Sequence, residues 1–161
     1  GRGTDGDELV VDVALRTSSA PTYFPSYQGY VDGGVVVNNP SMAALAQALD
    51  GRRGKCSDTE EILLMSIGTG AEPKYIKGKR HDWGWGQWAR PLVSIMISGS
   101  MGIADYQCEQ ILGDRYIRVN PYLKRGVDLD DASEKTLDFL QESAQRVKIE
   151  TVTQWLDDSA W

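Results

Sequence analysis

The chain of 161 residues holds one histidine and two cysteines. His81 lies in the charged, glycine-rich stretch "KGKRHDWGWG", and we read it as a solvated loop residue. A Ser-His-Asp triad would have no other histidine to use. Cys56 and Cys108 are far apart in the chain. A reduced pair is the simpler reading, with a single disulfide left open. Together these residues offer no zinc-type spacing, so neither metal nor cofactor is expected. Long apolar runs are also lacking. The longest, Pro91 to Ala104, is interrupted by Ser94, Ser98, Gly99, Ser100 and Gly102, and it falls short of the ~18 residues a membrane span needs. No basic block offsets the net charge of −6, which argues against nucleic acid as a partner. The opening "GRGTDGDE" has no initiator methionine and no signal-peptide pattern, so a piece of a longer chain or a processed product is expected.

What is present reads as a globular domain. The length suits one domain with a real core, and 41% hydrophobic with 25% charged residues is ordinary for the soluble class. "DELVVDVALRTSSAP" reads as a helix capped by Asp5 or Asp7, with Val10, Val11, Ala14 and Leu15 on one face. Tyr30 to Asp32 reads as a short strand that the glycine pair breaks. Asn39 before Pro40 is a helix start: an amide at the N-cap, and a proline where its missing N–H costs nothing. Gly51 is the expected C-cap of that helix. "ILLMSIG" is apolar on both faces, as suits a central parallel strand covered on each side. "TGAEPKYIKGKRHDWGWGQWARP" reads as a long connection, and "PLVSIMISGSMGIADYQCEQILG" as one or two helices weakened by Gly99 and Gly102. "RYIRVNPYL" reads as a strand stopped by Pro121. Residues Ser133 to Asp157 read as one amphipathic helix roughly 37 Å long. The alternation of helix and strand predicts an α/β layered architecture.

The segment "YVDGGVVVNNP" poses the functional question. Asp32 stands where a strand ends, and open α/β sheets place ligand chemistry there. Gly33 and Gly34 leave room for a backbone or a substrate to approach. The plain alternative is a tight Asp-Gly turn with no further role.

Four motifs in order decide the direction: Ser18 to Pro25 ("SSAPTYFP"), Asp32 to Gly34, Asn38 to Pro40, and Ser66 to Gly70 ("SIGTG"). Their sequence and spacing closely resemble the patatin-like phospholipase family, firmly over about residues 10 to 70. "DRYIRVNP" and "LDDAS" resemble its closing segments more loosely. The resemblance implies a lipid acyl hydrolase, of phospholipase A or esterase type, on a modified α/β-hydrolase fold with three α/β/α layers. It implies a Ser-Asp dyad in which Asp32 is the catalytic base, supported by Gly33, Gly34 and Asn39. Residues 1–161 would then be the C-terminal portion of the catalytic domain.

That family's nucleophile sits in a Gly-x-Ser-x-Gly elbow, preceded by a glycine-rich oxyanion loop. Neither precedes Asp32 here. The nearest string is "SGSMG", Ser98 to Gly102, with Ser100 as the nucleophile of an elbow in unusual order. The chain is therefore expected to supply the base, to need a missing N-terminal segment with the serine, and to be inactive alone. The expected partner is a phospholipid or other acyl lipid. Trp83 and Trp85, with Trp88, read either as an interface anchor or as packing residues. "KYIKGKR" and "GTG" read as a solvated loop and a sharp turn. A cytoplasmic location with peripheral membrane contact is expected. The competing reading is a non-catalytic module that keeps the scaffold for assembly or regulation.

Overall fold

The structure is a computed structural model that describes residues 7–53, 57–71 and 83–159. The chain divides into two compact units. The first holds the described residues up to Asn38 and those from 83 to Ser100; the second holds the rest, from Asn39 onward and from Met101 onward. The predicted cap Asp5 falls outside the described residues, as do Cys56, His81 and the basic patch "KYIKGKR".

In the first unit, α1 spans Val10–Thr17. Its N-cap is Leu9, without a side-chain cap, so Asp7 does not cap it. The helix closes through hydroxyls: Ser18 Oγ donates to the Ala14 carbonyl and Ser19 Oγ to that of Leu15, each at 2.7 Å. These bonds satisfy carbonyls that a helix end leaves without partners. The chain then turns at Gln28 (φ 53°) and Gly29 (φ 82°). Two successive positive φ values suit the tight turn that joins Tyr27 and Tyr30 in an antiparallel bridge. That bridge is all that forms of the strand predicted over Tyr30 to Asp32. A strand needs a neighbour along its length, and none pairs with it among the described residues. The valines that follow enter a single helical turn, α2, Gly34–Val37.

The second unit carries the sheet. Helix α3, Ser41–Ala48, follows "NNP", but Pro40 is its N-cap rather than its first residue, one position later than expected, and it ends at a Leu49 C-cap ahead of Gly51, which opens a 3-10 turn. Strands β1, Leu64–Ile67, and β2, Tyr116–Val119, pair in parallel with Leu64 opposite Tyr116. The connection between them includes α4, Trp85–Leu112. Parallel neighbours require such a crossover. The described sheet has two strands, and Ile67 is 75% exposed, so the full two-sided covering predicted for β1 is not seen. Leu45 of α3 with Cys108 and Leu112 of α4 forms the buried core, flanked by Met42, Leu49, Ile62, Leu64 and Tyr116. Cys108 is a free thiol, and burial pushes its pKa up.

Two further element boundaries differ from the sequence expectation. Helix α4 starts at Trp85 and runs through Pro91, Gly99 and Gly102 without interruption, so the connection assigned up to Pro91 is helical from Trp85. The single long last helix is two helices: α5, Glu134–Gln145, and α6, Ile149–Asp158. Lys148 leaves helical geometry (ψ 89°). Past the break, the Trp155 indole N–H donates to the Asp114 carbonyl at 2.7 Å, a long-range anchor that local periodicity does not reveal. At 12 residues α5 is about 18 Å long, half the length expected for the unbroken helix.

Candidate active site

Asp32 lies in the first unit, partly exposed. Its backbone N–H donates to the Ser19 carbonyl at 3.0 Å, which ties it to the small-residue segment after α1. Its carboxylate Oδ1 accepts the Gly34 N–H at 2.6 Å. This is the Asx-turn geometry that Asp-Gly pairs favour. No hydrogen bond reaches Oδ2 among the described residues, so one carboxylate oxygen is held and the other is open to a donor. Gly33 is the N-cap of α2. Gly34 is required by close approach: a Cβ there would stand 2.9 Å from Asp32 Oδ1 and 3.0 Å from Asn38 Oδ1. The structure thus brings Asp32, Gly33 and Gly34 together in one turn.

Ser100 does not sit in a nucleophile elbow. It lies inside the continuous helix α4, not on a strand-turn-helix corner, and its Oγ accepts the Asn38 N–H at 3.5 Å. The alternative nucleophile suggested by "SGSMG" is therefore set aside. The tryptophans divide. Trp85 is 94% exposed, whereas Trp83 packs edge-on against Trp88 at 5.3 Å.

Asn39 lies in the second unit and is 1% exposed. Its Oδ1 accepts the Ser41 N–H at 3.2 Å, and its Nδ2 donates to the Met101 carbonyl at 3.4 Å; the N-cap of α3 is Pro40, without a side-chain cap, so Asn39 stands one residue before the cap position expected for it. Around it lies a buried polar network that sequence reading missed. Ser41 Oγ is 2.5 Å from Asn39 Oδ1 and 2.7 Å from Ser66 Oγ; its single proton serves one of them at a time. Ser66 Oγ is 3.3 Å from the same Asn39 oxygen and also accepts from the Arg118 guanidinium. Tyr116 Oη donates to Asp105 Oδ1 at 2.7 Å. Burial first, then that bond, raises the Tyr116 pKa. The period-two pattern of "YIRV" was the available signal, since it places Tyr116 and Arg118 on one face of β2. What it could not show is that Ser66 of β1 stands beside them.

The turn after β1 is fixed by Asn120, whose Oδ1 accepts the Gly70 N–H at 2.9 Å. Gly70 has φ +122°, and a Cβ there would lie 2.8 Å from the Leu123 side chain. "GTG" is thus a sharp turn, as expected. Among the described residues no cluster of His, Cys, Asp and Glu could hold a metal ion, and no helix is long and apolar enough to cross a membrane.

No family model matches the chain. Individual proteins do. The putative sporulation hydrolase CotR of Bacillus subtilis (strain 168) is 30% identical, over 94% of this chain and 53% of its own length. The cGAMP-activated phospholipase of Vibrio cholerae is 29% identical, over 92% of this chain and 48% of its own. Patatin-like protein 2 of Arabidopsis thaliana is 25% identical, over 88% of this chain and 44% of its own. The chain spans about half the length of the curated relatives it matches. The motif order from Ser18 to Gly70 and the repeated likeness to patatin-like proteins and phospholipases agree, and this chain belongs to the patatin-like phospholipase family.

Proposed function

We propose that this chain is the C-terminal portion of the catalytic domain of a lipid acyl hydrolase, of phospholipase A or esterase type, and that Asp32 is the base of its Ser-Asp dyad. The observation that carries the reading is the half-held carboxylate. Oδ1 is fixed by the Gly34 N–H at 2.6 Å, and Oδ2 has no partner among the described residues. A base must be oriented and must keep a lone pair for the incoming proton. In the proposed reaction Oδ2 takes the proton of a serine hydroxyl as that oxygen attacks the ester carbonyl. The tetrahedral intermediate collapses to an acyl-serine, and the leaving alcohol takes the proton back. Water then repeats the sequence, with Asp32 as its base, and frees the fatty acid.

The serine and the oxyanion donors come, in this reading, from a segment N-terminal to the chain. The sparse sheet supports that. Parallel sheets are normally covered on both faces, whereas only two strands are described here and Ile67 is 75% exposed. The remaining strands would complete the three-layer α/β/α arrangement. The substrate would be a phospholipid or related acyl lipid, met by a cytoplasmic protein with peripheral membrane contact. The relatives named as phospholipases support this class.

The test is fluorophosphonate labelling and ester turnover of the full-length protein. The wild type is expected to label on one serine and to hydrolyse a short-chain nitrophenyl ester, while Asp32→Ala slows turnover by about 10²–10⁴-fold. Residues 1–161 alone are expected to turn over none. An Asp32→Ala protein as fast as wild type, or turnover by the isolated chain, would overturn the reading. A full-length protein with no Gly-x-Ser-x-Gly elbow and no labelling would instead be a scaffold module, with the Asp32 turn purely structural.

A further inference from the structure

A cleft of about 400 Å³ opens in the second unit, between β2 with the segment after it and the α5–α6 corner. Its volume lies in the range of small-molecule sites. Two kinds of residue line it. Ile117 and Val119 of β2 face it together with Val147 and Val152 from the corner and α6. Strand alternation places Ile117 and Val119 on the face opposite Tyr116 and Arg118, yet Arg118 also reaches the cleft lining, so the cleft adjoins the buried polar network through the guanidinium that donates to Ser66. The second kind is cationic: Lys124, Arg146 and Lys148, with Arg118 also in the lining but already donating to Ser66.

The charge pattern is out of keeping with the rest of the protein. The chain carries 23 acidic and 17 basic residues, yet no aspartate or glutamate lines the cleft. Arg146 is paired with Glu142 at 3.3 Å, one helical turn back, in an exposed ion pair. Such pairs hold their partners weakly, which leaves the guanidinium able to turn to a stronger anion. Lys124 and Lys148 have no ion-pair partner among the described residues. The break between α5 and α6 is what makes the arrangement. An unbroken helix would carry Val147 and Lys148 on around its circumference, whereas the corner at Lys148 sets both on the cleft beside Arg146.

We propose that this cleft binds a small phosphate-bearing amphiphile, with its phosphate among Lys124, Arg146 and Lys148 and its apolar body on Ile117, Val119, Val147 and Val152. Even with Arg118 engaged by Ser66, the other three cations around the opening exceed what a single carboxylate would balance; a phosphate monoester carries close to two charges at neutral pH. Planar guanidinium and ammonium groups are its ordinary partners. The apolar floor gives the remainder of the molecule a place that a free inorganic ion would not need. The proposal is independent of the role of Asp32.

The experiment is calorimetric titration of the full-length protein with four probes: inorganic phosphate, adenosine monophosphate, monomeric dihexanoyl phosphatidic acid, and dihexanoyl phosphatidylcholine as the zwitterionic control. Phosphatidic acid or the nucleotide is expected to bind at least tenfold more tightly than inorganic phosphate, and whichever binds better identifies a lipid or a nucleotide source. The affinity is expected to fall with added salt. The double variant Lys124→Glu, Lys148→Glu is expected to weaken it tenfold or more. Both lysines are exposed, and an unchanged thermal midpoint would verify that the fold is intact. Three results would each overturn the proposal: no binding by either organic phosphate, equal binding of all phosphates and the control, or unaltered affinity in the charge-reversed protein. Val119→Ala supplies a second check, since it should weaken the organic probes while leaving inorganic phosphate unchanged; equal affinity for all in that variant would remove the apolar floor from the site.

Discussion

Single atoms decide much of what the second unit does. Asn39 is the clearest case, because its amide accepts the Ser41 N–H at the start of α3, reaches the α4 backbone and meets two serine hydroxyls while 1% exposed. Removing it leaves those buried partners short of hydrogen bonds. We expect Asn39→Ala to cost about 2–3 kcal/mol in urea unfolding. Ser66→Ala should cost less, since Ser41 can still donate to Asn39. An Asn39→Ala protein as stable as wild type would mean that the network is hydrated. "NNP" announced a helix start, and the helix follows it with Pro40, not Asn39, at the N-cap; the burial of the amide was not legible, because it depends on Ser66, 27 residues later in the chain. Asp32 is the reverse case. Its turn geometry could be read from Asp-Gly-Gly alone, since a carboxylate accepting the N–H two residues on is a local interaction.

At the scale of elements, helix starts carry a testable charge. Before α5, Asp131 accepts the Ser133 N–H at 3.0 Å and the Thr136 hydroxyl at 2.7 Å. The hydrogen bonds from Ser133, then from Thr136, lower its pKa from 3.8 to about 2. The folded pKa lies below the unfolded one, so the stabilisation is fully present above pH 3.8 and is lost as pH falls through 2. We expect wild type to be more heat-stable than Asp131→Asn at pH 6, with the gap closing between pH 4 and pH 2. A gap that stays constant over that window would show that the carboxylate charge is not what matters. The break at Lys148 illustrates the limit of element prediction. No glycine or proline marks it, and apolar residues continue on helical spacing through it. The corner is stabilised by contacts beyond the helix, among them the Trp155 bond to Asp114. In α4 the reverse happened: Pro91, Gly99 and Gly102 looked like punctuation, yet the helix continues through all three.

For the molecule as a whole, the question is what covers its apolar surface. Val10, Val36, Ile67 and Trp85 are each more than two-thirds exposed. Scattered exposed apolar residues are normal, but large groups of them mark contact sites. Trp85, at 94% exposure, can be replaced with no loss of packing, so Trp85→Ser should change stability by less than about 0.5 kcal/mol. If the ring anchors the protein at a lipid surface, as indoles favour, the full-length Trp83→Ser, Trp85→Ser protein should sediment several-fold less with phosphatidylglycerol vesicles. Unchanged sedimentation would remove the lipid anchor and leave Trp83 as a packing ring against Trp88.

By itself, the sequence determined the local events: the Asp-Gly-Gly turn, the start of α3 directly after "NNP", the sharp "GTG" turn, and the two apolar stretches that become β1 and β2. Each follows from backbone sterics or from a hydrogen bond spanning a few residues, so a short window contains its cause. Tertiary structure alone decided the pairing that buries Ser66 beside Asn39 and Arg118, the corner between α5 and α6, and the cationic cleft that the corner creates. Those depend on groups brought together from 25 to more than 50 positions apart, where the governing energies are burial and long-range packing rather than any preference of the residues in between.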